Sequence, residues 1–299
     1  MKLKIGTRGS KLALTQTNLI IDKLKKIDNT LDIEIKIIKT KGDIILDKAL
    51  DKIGDKGLFV KEIENELLNE EIDLAVHSMK DMPSVQPQGL KLESAFERED
   101  YRDILITKEG IKSLDDIPKN AKIGTGSKRR KYQLLDRRND LQMIPIRGNV
   151  ETRIRKIEEL NLFGVILAYA GVKRLNLHKE LEDKIYAFNE DEMIPAPAQG
   201  ILGIEYKEDR KDIQNLVENI IDEKNKIMCD AERSYLKGLD GSCHIPMGAI
   251  AKVDDNKLTI KAVYGLSDGS KLIKKEIQGN IEDAKILGQK LANLIKEEL

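Results

Sequence analysis

Residues 4–10, Lys4-Ile5-Gly6-Thr7-Arg8-Gly9-Ser10, return at 122–130 as Lys122-Ile123-Gly124-Thr125-Gly126-Ser127-Lys128-Arg129-Arg130. In both copies a short apolar strand ends in Gly-Thr, a small turn follows, and a helical run starts at Ser with Arg beside it. A helix start presents free backbone N–H groups and a partial positive charge, so the phrase reads as an anion site built twice. Two copies in one chain predict two lobes that share one negatively charged ligand.

The repeat extends outward from these phrases. After the first, Ile20, Leu24 and Ile27 mark one face of a helix, and Leu31, Ile33, Ile35 and Ile37 alternate as a strand. A helix carrying Phe59, Ile63 and Leu67 follows, then the strand Asp73–Val76, which stops at His77-Ser78-Met79-Lys80-Asp81. The second copy keeps the order. A strand over 141–146 ends at Arg147-Gly148-Asn149, a helix carries Val150, Ile154 and Ile157, and the strand 164–168 stops at Tyr169-Ala170-Gly171. Strand–helix–strand–helix–strand, twice, predicts two α/β lobes with largely parallel sheets and polar clusters at the strands' carboxyl ends.

Two stretches look like crossings between lobes: 97–103, and Pro195-Ala196-Pro197-Ala198-Gln199-Gly200. Beyond about 218 the pattern changes to a helix holding Cys229–Leu239, a loop Gly241-Ser242-Cys243-His244, three short strands, and a last helix with Ile286, Leu291 and Leu294 among its apolar positions. The expected division is 1–97 plus 198–217 for the first lobe, 98–197 for the second, and 218–299 for a small α+β domain.

Composition narrows the function classes. The 299 residues carry 52 basic and 52 acidic side chains, a formal net charge of zero, with 4% aromatics. That balance argues against a nucleic-acid binder working through Lys128–Lys131 and Arg137-Arg138, and against a general binder of anionic membranes. No apolar run approaches the length of a membrane span or a signal peptide, so a cytoplasmic protein is expected. The His and Cys spacings match no zinc pattern, and no metal is expected.

Chemistry-bearing residues gather at the strand ends. Arg8, Lys80, Arg129, Arg130, Arg147, Arg153 and Arg174 supply cations, and a guanidinium matches a carboxylate through its planar donor fork. Asp81 is the acid in this basic neighbourhood and can carry a proton or face a developing cation. Cys243, in a polar loop, is the better candidate for a nucleophile or attachment point than Cys229, which lies within a helix.

Taken as a set, GTRGSKLALTQ (6–16), KGLFVKEIE (56–64), DLAVHSMKDMP (73–83), IGTGSKRR (123–130), IRGNVETR (146–153), LAYAGVKRL (167–175), PAPAQGILGIE (195–205) and GSCHIPMGA (241–249) closely resemble the porphobilinogen deaminase, or hydroxymethylbilane synthase, family. They cover nearly the whole chain in family order. The resemblance implies an enzyme that joins four porphobilinogen molecules head to tail, with loss of ammonia at each step, and then releases linear hydroxymethylbilane. It implies a dipyrromethane cofactor bound by a thioether to Cys243, and a small third domain that presents it to the cleft of two lobes of the periplasmic-binding type.

On that likeness the cations named above pair with pyrrole carboxylates. Ser10, Ser78, Thr125, Ser127 and Gly148 add hydrogen bonds. Asp81 assists protonation of the leaving amine, hydrogen-bonds pyrrole N–H groups and stabilises the cation left behind. Lys52, Lys56 and Phe59 belong to a segment that the likeness implies moves over the cleft. A monomer is expected, with porphobilinogen as its partner and neither nucleic acid nor membrane. Ser242, His244, Lys128 and Thr15 depart from the commoner family residues. The competing reading is a non-catalytic two-lobed protein that binds a polycarboxylate, which leaves the Cys243 loop and Asp81 without a role.

Overall fold

The protein is described here from a computed structural model that covers residues 2–44, 57, 60–240 and 245–299. The expectations for Lys52, Lys56, Phe59, Ser242, Cys243 and His244 lie outside the described residues.

The first lobe is built from β1 (Lys2–Thr7), α1 (Lys11–Ile27), β2 (Asp32–Ile37), α2 (Lys41–Ile44), α3 (Lys61–Leu68), β3 (Leu74–Ser78) and β4 (Leu90–Ala95). The second holds β5 (Asp103–Thr107), β6 (Lys122–Gly124), α4 (Lys128–Arg137), β7 (Gln142–Ile144), α5 (Val150–Glu159), β8 (Gly164–Ala168), α6 (Tyr169–Arg174) and β9 (Ile185–Ala187). The chain then returns to the first lobe as β10 (Leu202–Lys207) and α7 (Lys211–Glu218). The two sheets share one plan, β2-β1-β3-β10-β4 and β7-β6-β8-β5-β9, so the sequence repeat is a structural repeat.

The pairing corrects the expectation of largely parallel sheets. β1 runs parallel to β2 and β3, and β6 parallel to β7 and β8. β10 runs antiparallel to β3 and β4, and β5 antiparallel to β8 and β9. β5 and β10 are the strands entered after a crossing between lobes. Each therefore arrives from the far side of its sheet and runs against its neighbours.

Local chemistry explains the repeated phrase. A Cβ on Gly6 would lie 2.3 Å from Ile72 Cδ1, and one on Gly124 2.8 Å from Leu162 Cδ1. Both glycines let the residue that leads into the neighbouring strand pack tightly on this one. The next helices start where expected: Ser10 Oγ accepts from Ala13 N at 3.2 Å and Ser127 Oγ from Arg130 N at 3.4 Å, caps worth about 1 kcal/mol each.

In the first lobe, Leu3, Ile5, Ile20, Leu24, Leu74, Ile204 and Tyr206 fill one side of the sheet. Ile38, Ile63, Leu67, Ile72 and Ala75 form a second cluster, under α3. The alternation in β2 reaches the core only at its start. β2 is an edge strand, so Ile35 and Ile37 stay 36% and 55% exposed.

The third domain packs α8 (Glu223–Gly238) and α9 (Ala284–Lys296) on a meander of β11 (Met247–Asp254), β12 (Lys257–Gly265) and β13 (Leu272–Asn280). The buried stripe of α9 is Leu287, Gly288, Leu291, Ala292 and Ile295, whereas Ile286 and Leu294 face solvent. Gly288 sets this orientation: a Cβ there would meet the Ala231 carbonyl oxygen at 2.2 Å, so α9 turns its small residues toward α8.

Glu232 on α8 joins this domain to both crossings. It accepts from Arg98 Nη1 at 2.6 Å, Arg98 Nη2 at 3.1 Å, Ala198 N at 2.5 Å and Ala251 N at 2.8 Å.

Candidate active site

β3 ends in Ser78 and turns at once into a short 3-10 segment, Met79–Asp81. Met79 and Met82 are buried anchors on either side, so Lys80 and Asp81 project between them. Arg8, Ser10, Gln16, His77, Ser78 and Asp81 line one cleft at the carboxyl end of the first sheet. Ser78 Oγ accepts from Gln16 Nε2 at 2.9 Å, which ties the end of β3 to α1.

Asp81 is exposed and lies in the field of Lys80, Arg130 and Arg153. Lys80 donates to Gln199 Oε1 at 3.2 Å. Burial pulls its ammonium down to about 8, opposed by the negative charge of Asp81.

Arg129 and Arg130 are both buried and converge on Asp103, the first residue of β5. Arg129 Nη1 lies 2.5 Å from Asp103 Oδ2, and Arg130 Nε donates to Oδ1 at 2.9 Å. Burial works against the Asp103 carboxylate, and the two guanidinium groups overcome it and hold its pKa well below the ordinary range. Gln199 Nε2 adds a bond to Asp103 Oδ1 at 3.0 Å. The Arg pair thus has an internal acid to satisfy, and one anion shared by two cations leaves the group positive.

Arg153 and Arg174 differ from that pair. Arg153 Nε donates to the Gly148 carbonyl at 2.7 Å, and Arg174 Nη2 to the Gly200 carbonyl at 2.6 Å. Burial pulls each guanidinium down to about 10, and both remain cationic at neutral pH. Neither forms an ion pair with a carboxylate among the described residues. Gly148 holds φ +120°, and a Cβ there would lie 2.7 Å from Thr152 Cγ2. Only glycine suits that position, and it aims its carbonyl at Arg153.

Arg147 is half-buried at the same turn. Arg8 pairs with Asp43, Nε donating to Oδ1 at 3.1 Å. Burial raises the Asp43 carboxyl, and Arg8 and Thr40 more than offset it. Thr125 Oγ1 accepts from Ser127 N at 3.2 Å and shapes the second turn.

Lys80, Arg153 and Arg174, cations that form no ion pair with a carboxylate among the described residues, suit a ligand bearing several carboxylates, and the exposed Asp81 among them suits proton transfer. Residues 3–215 match the family model described as "Porphobilinogen deaminase, dipyromethane cofactor binding domain", and 226–297 match "Porphobilinogen deaminase, C-terminal domain". The chain belongs to the porphobilinogen deaminase family. The porphobilinogen deaminase of Clostridium novyi is 54% identical over 299 residues, covering 100% of both chains. That of Clostridioides difficile is 52% identical over 100% of this chain and 98% of its own. That of Carboxydothermus hydrogenoformans is 47% identical over 96% and 91%.

The residues around the site also fit the carboxylate-rich cofactor that the matched domain is named for. Lys80, Arg153 and Arg174 are cations that form no ion pair with a carboxylate among the described residues, and so would suit its acid groups.

Sequence reasoning missed Asp103, Gln199 and Gln16 as parts of this site. Asp103 carried a signal: it is an acid at the head of the otherwise apolar strand Ile104-Leu105-Ile106. Gln199 lay within a stretch read as a crossing and as a family phrase, with no role given to the residue itself.

Proposed function

We propose that Asp81 is the proton-handling group of a hydroxymethylbilane synthase, and that Lys80, Arg153 and Arg174 grip the substrate chain by its carboxylates. The reaction is the family's: stepwise head-to-tail condensation of four porphobilinogen molecules with loss of ammonia, then release of linear hydroxymethylbilane, in tetrapyrrole biosynthesis. The observation that carries the residue assignment is the placement of Asp81 in the combined field of Lys80, Arg130 and Arg153.

Asp81 assists protonation of the departing amine, and its carboxylate faces the cation left on the substrate. The same oxygens accept hydrogen bonds from pyrrole N–H groups. Lys80, Arg153 and Arg174 orient the acetate and propionate groups, with Arg147, Arg8, Arg129 and Arg130 completing the basic wall. Ser10, Ser78, Thr125, Ser127 and the Gly148 backbone shape the turns that receive them. When bound, the dipyrromethane supplies the pyrrole end that is extended and tethers the product, and Cys243 is its proposed thioether partner.

The proposal has the chain act as a cytoplasmic monomer, with neither nucleic acid nor membrane as partner. Zero net charge offers no general attraction to nucleic acid or an anionic membrane, and no helix among the described residues is long and apolar enough to cross a membrane.

Intact-mass measurement tests the tether: an added mass of two pyrrole units on the peptide containing Cys243 is expected, and an active but unmodified protein refutes it. Asp81→Ala is expected to keep the fold and lose condensation. Near-normal turnover would remove Asp81 from the mechanism.

A further inference from the structure

Beneath the Asp81 turn lies a second set of ionisable groups that the reaction as described does not use. His77, the penultimate residue of β3, has Nε2 at 3.1 Å from Glu205 Oε2 on β10, and both side chains are buried. In the pairing register Gly203 stands opposite His77 and Glu205 opposite Ala75, so His77 and Glu205 share one face of the sheet. Ala75 belongs to the cluster under α3, so that face is the one α3 covers.

From α3, Glu64 enters the same layer and is 7% exposed. Glu64 Oε1, Glu205 Oε1 and Ser94 Oγ are buried without a hydrogen-bond partner. Two carboxylates thus face one imidazole in a layer closed to solvent. Two buried, unpaired acceptor oxygens are costly, and a proton placed on Glu64 removes one of the two negative charges held in this layer.

The other charges facing this group are Lys61 on α3, which acts on Glu64, and Arg233 on α8, which acts on Glu205. Burial and the nearby Glu205 raise the Glu64 carboxyl to about 7, opposed by His77 and Lys61.

The cluster is mechanically joined to the site. Glu64 N donates to the Val60 carbonyl at 2.8 Å, at the start of α3. Val60 packs with Met79 and Met82, the two anchors that flank Lys80 and Asp81. How α3 seats on the sheet therefore bears directly on the Asp81 turn.

We infer that Glu64, His77 and Glu205 form a buried proton-holding cluster that positions the Asp81 turn, with protonated Glu64 seating α3 and ionised Glu64 loosening it. The inference rests on the assignment of Asp81 as the proton-handling group. Glu64 is here a positioning residue, since it touches neither substrate nor cofactor.

The test compares wild type with Glu64→Gln, which keeps a donor and cannot ionise. In wild type, kcat is expected to fall as pH rises through about 7. In Glu64→Gln the part of that limb set by Glu64 disappears, so the ratio of kcat at pH 6.5 to kcat at pH 8.5 is expected to fall at least about threefold below the wild-type ratio, any remaining slope belonging to Asp81. KM is expected to match wild type at each pH, because the carboxylate-binding cations are untouched.

Hydrogen exchange gives a readout besides activity. Amides of residues 63–68, corrected for intrinsic pH dependence, are expected to be more protected at pH 6 than at pH 8 in wild type, and equally protected at both in Glu64→Gln. A kcat ratio between pH 6.5 and 8.5 that is the same in Glu64→Gln as in wild type overturns the inference, as does exchange that ignores pH in wild type. A wild-type Asp81 that proves dispensable overturns the functional assignment instead, and the exchange result still stands or falls alone.

Discussion

Lys80 donates to Gln199 at 3.2 Å where the first lobe meets the crossing back from the second. The same Gln199 amide donates to Asp103 Oδ1 at 3.0 Å and to the Tyr101 carbonyl at 2.7 Å. One side chain therefore links a cation beside Asp81 to the acid that clamps Arg129 and Arg130. Gln199→Ala removes all three bonds from a position that is 0% exposed. A loss of about 1–3 kcal/mol in urea unfolding is expected, the scale for leaving buried polar groups unpaired. Gln199→Glu should be worse, since it sets a second carboxylate against Asp103. Unchanged midpoints in both variants would show that the link carries no energy.

The arginines divide by what they already hold. Arg129 and Arg130 satisfy Asp103, so Arg129→Ala is expected to cost stability as well as binding. Arg153 and Arg174 donate only to carbonyls among the described residues. Arg153→Gln and Arg174→Gln should therefore leave the unfolding midpoint close to wild type. Each should raise KM for porphobilinogen by roughly 10- to 150-fold, equivalent to about 1.5–3 kcal/mol for a charged hydrogen bond. Equal KM values for wild type and both variants would place these two outside the substrate path.

That division marks what could be read from the sequence. The repeated Gly-Thr turn and Ser cap were legible because their causes are local: a glycine under a packed side chain, and a hydroxyl three residues from the amide it caps. The direction of β5 and β10 was not, because it follows from the chain arriving from the other lobe. That Arg129 and Arg130 also pair with Asp103 was not legible, because Asp103 lies 26 and 27 residues away in the chain and nothing local announces the pairing. Which of the apolar positions of α9 are buried was not legible for a similar reason: Leu291 is buried, whereas Ile286 and Leu294 are exposed. Both helical faces carry apolar residues, and the choice between them was made by Gly288 against Ala231.

Lys80 sets a pH dependence for substrate affinity. Burial lowers its ammonium from 10.5 to about 8, so the unliganded site loses this charge as pH rises through about 8. A bound carboxylate stabilises the ammonium and raises its pKa again. Affinity is therefore full below about 8 and declines above it, until the liganded form also loses its proton. For folding the sign is opposite. The unfolded chain holds this proton more tightly, so the cost of burying a charged Lys80 is present below about 8 and disappears as pH climbs toward 10.5. Measured KM should rise between pH 7.5 and 9.5 in wild type, and Lys80→Gln should show a high, flat KM over that range. A wild-type KM that stays level would mean that Lys80 does not meet the substrate's carboxylates.

Glu232 is the acid on which the third domain depends for its seat. Its two oxygens take both Arg98 amino groups and the backbone N–H groups of Ala198 and Ala251. The side chains of Arg98 and Glu232 are 6% and 0% exposed. Glu232→Gln strands a buried guanidinium, and a loss of about 3–5 kcal/mol is expected in urea unfolding. Replacing both partners, Arg98→Met with Glu232→Met, removes the charges together, and buried pairs exchanged for apolar side chains often lose little. Recovery should nonetheless be incomplete here, because the two backbone N–H groups still lose their acceptor. A double variant as stable as wild type would show that those N–H groups find other partners. One no better than Glu232→Gln would show that the guanidinium was never the main cost.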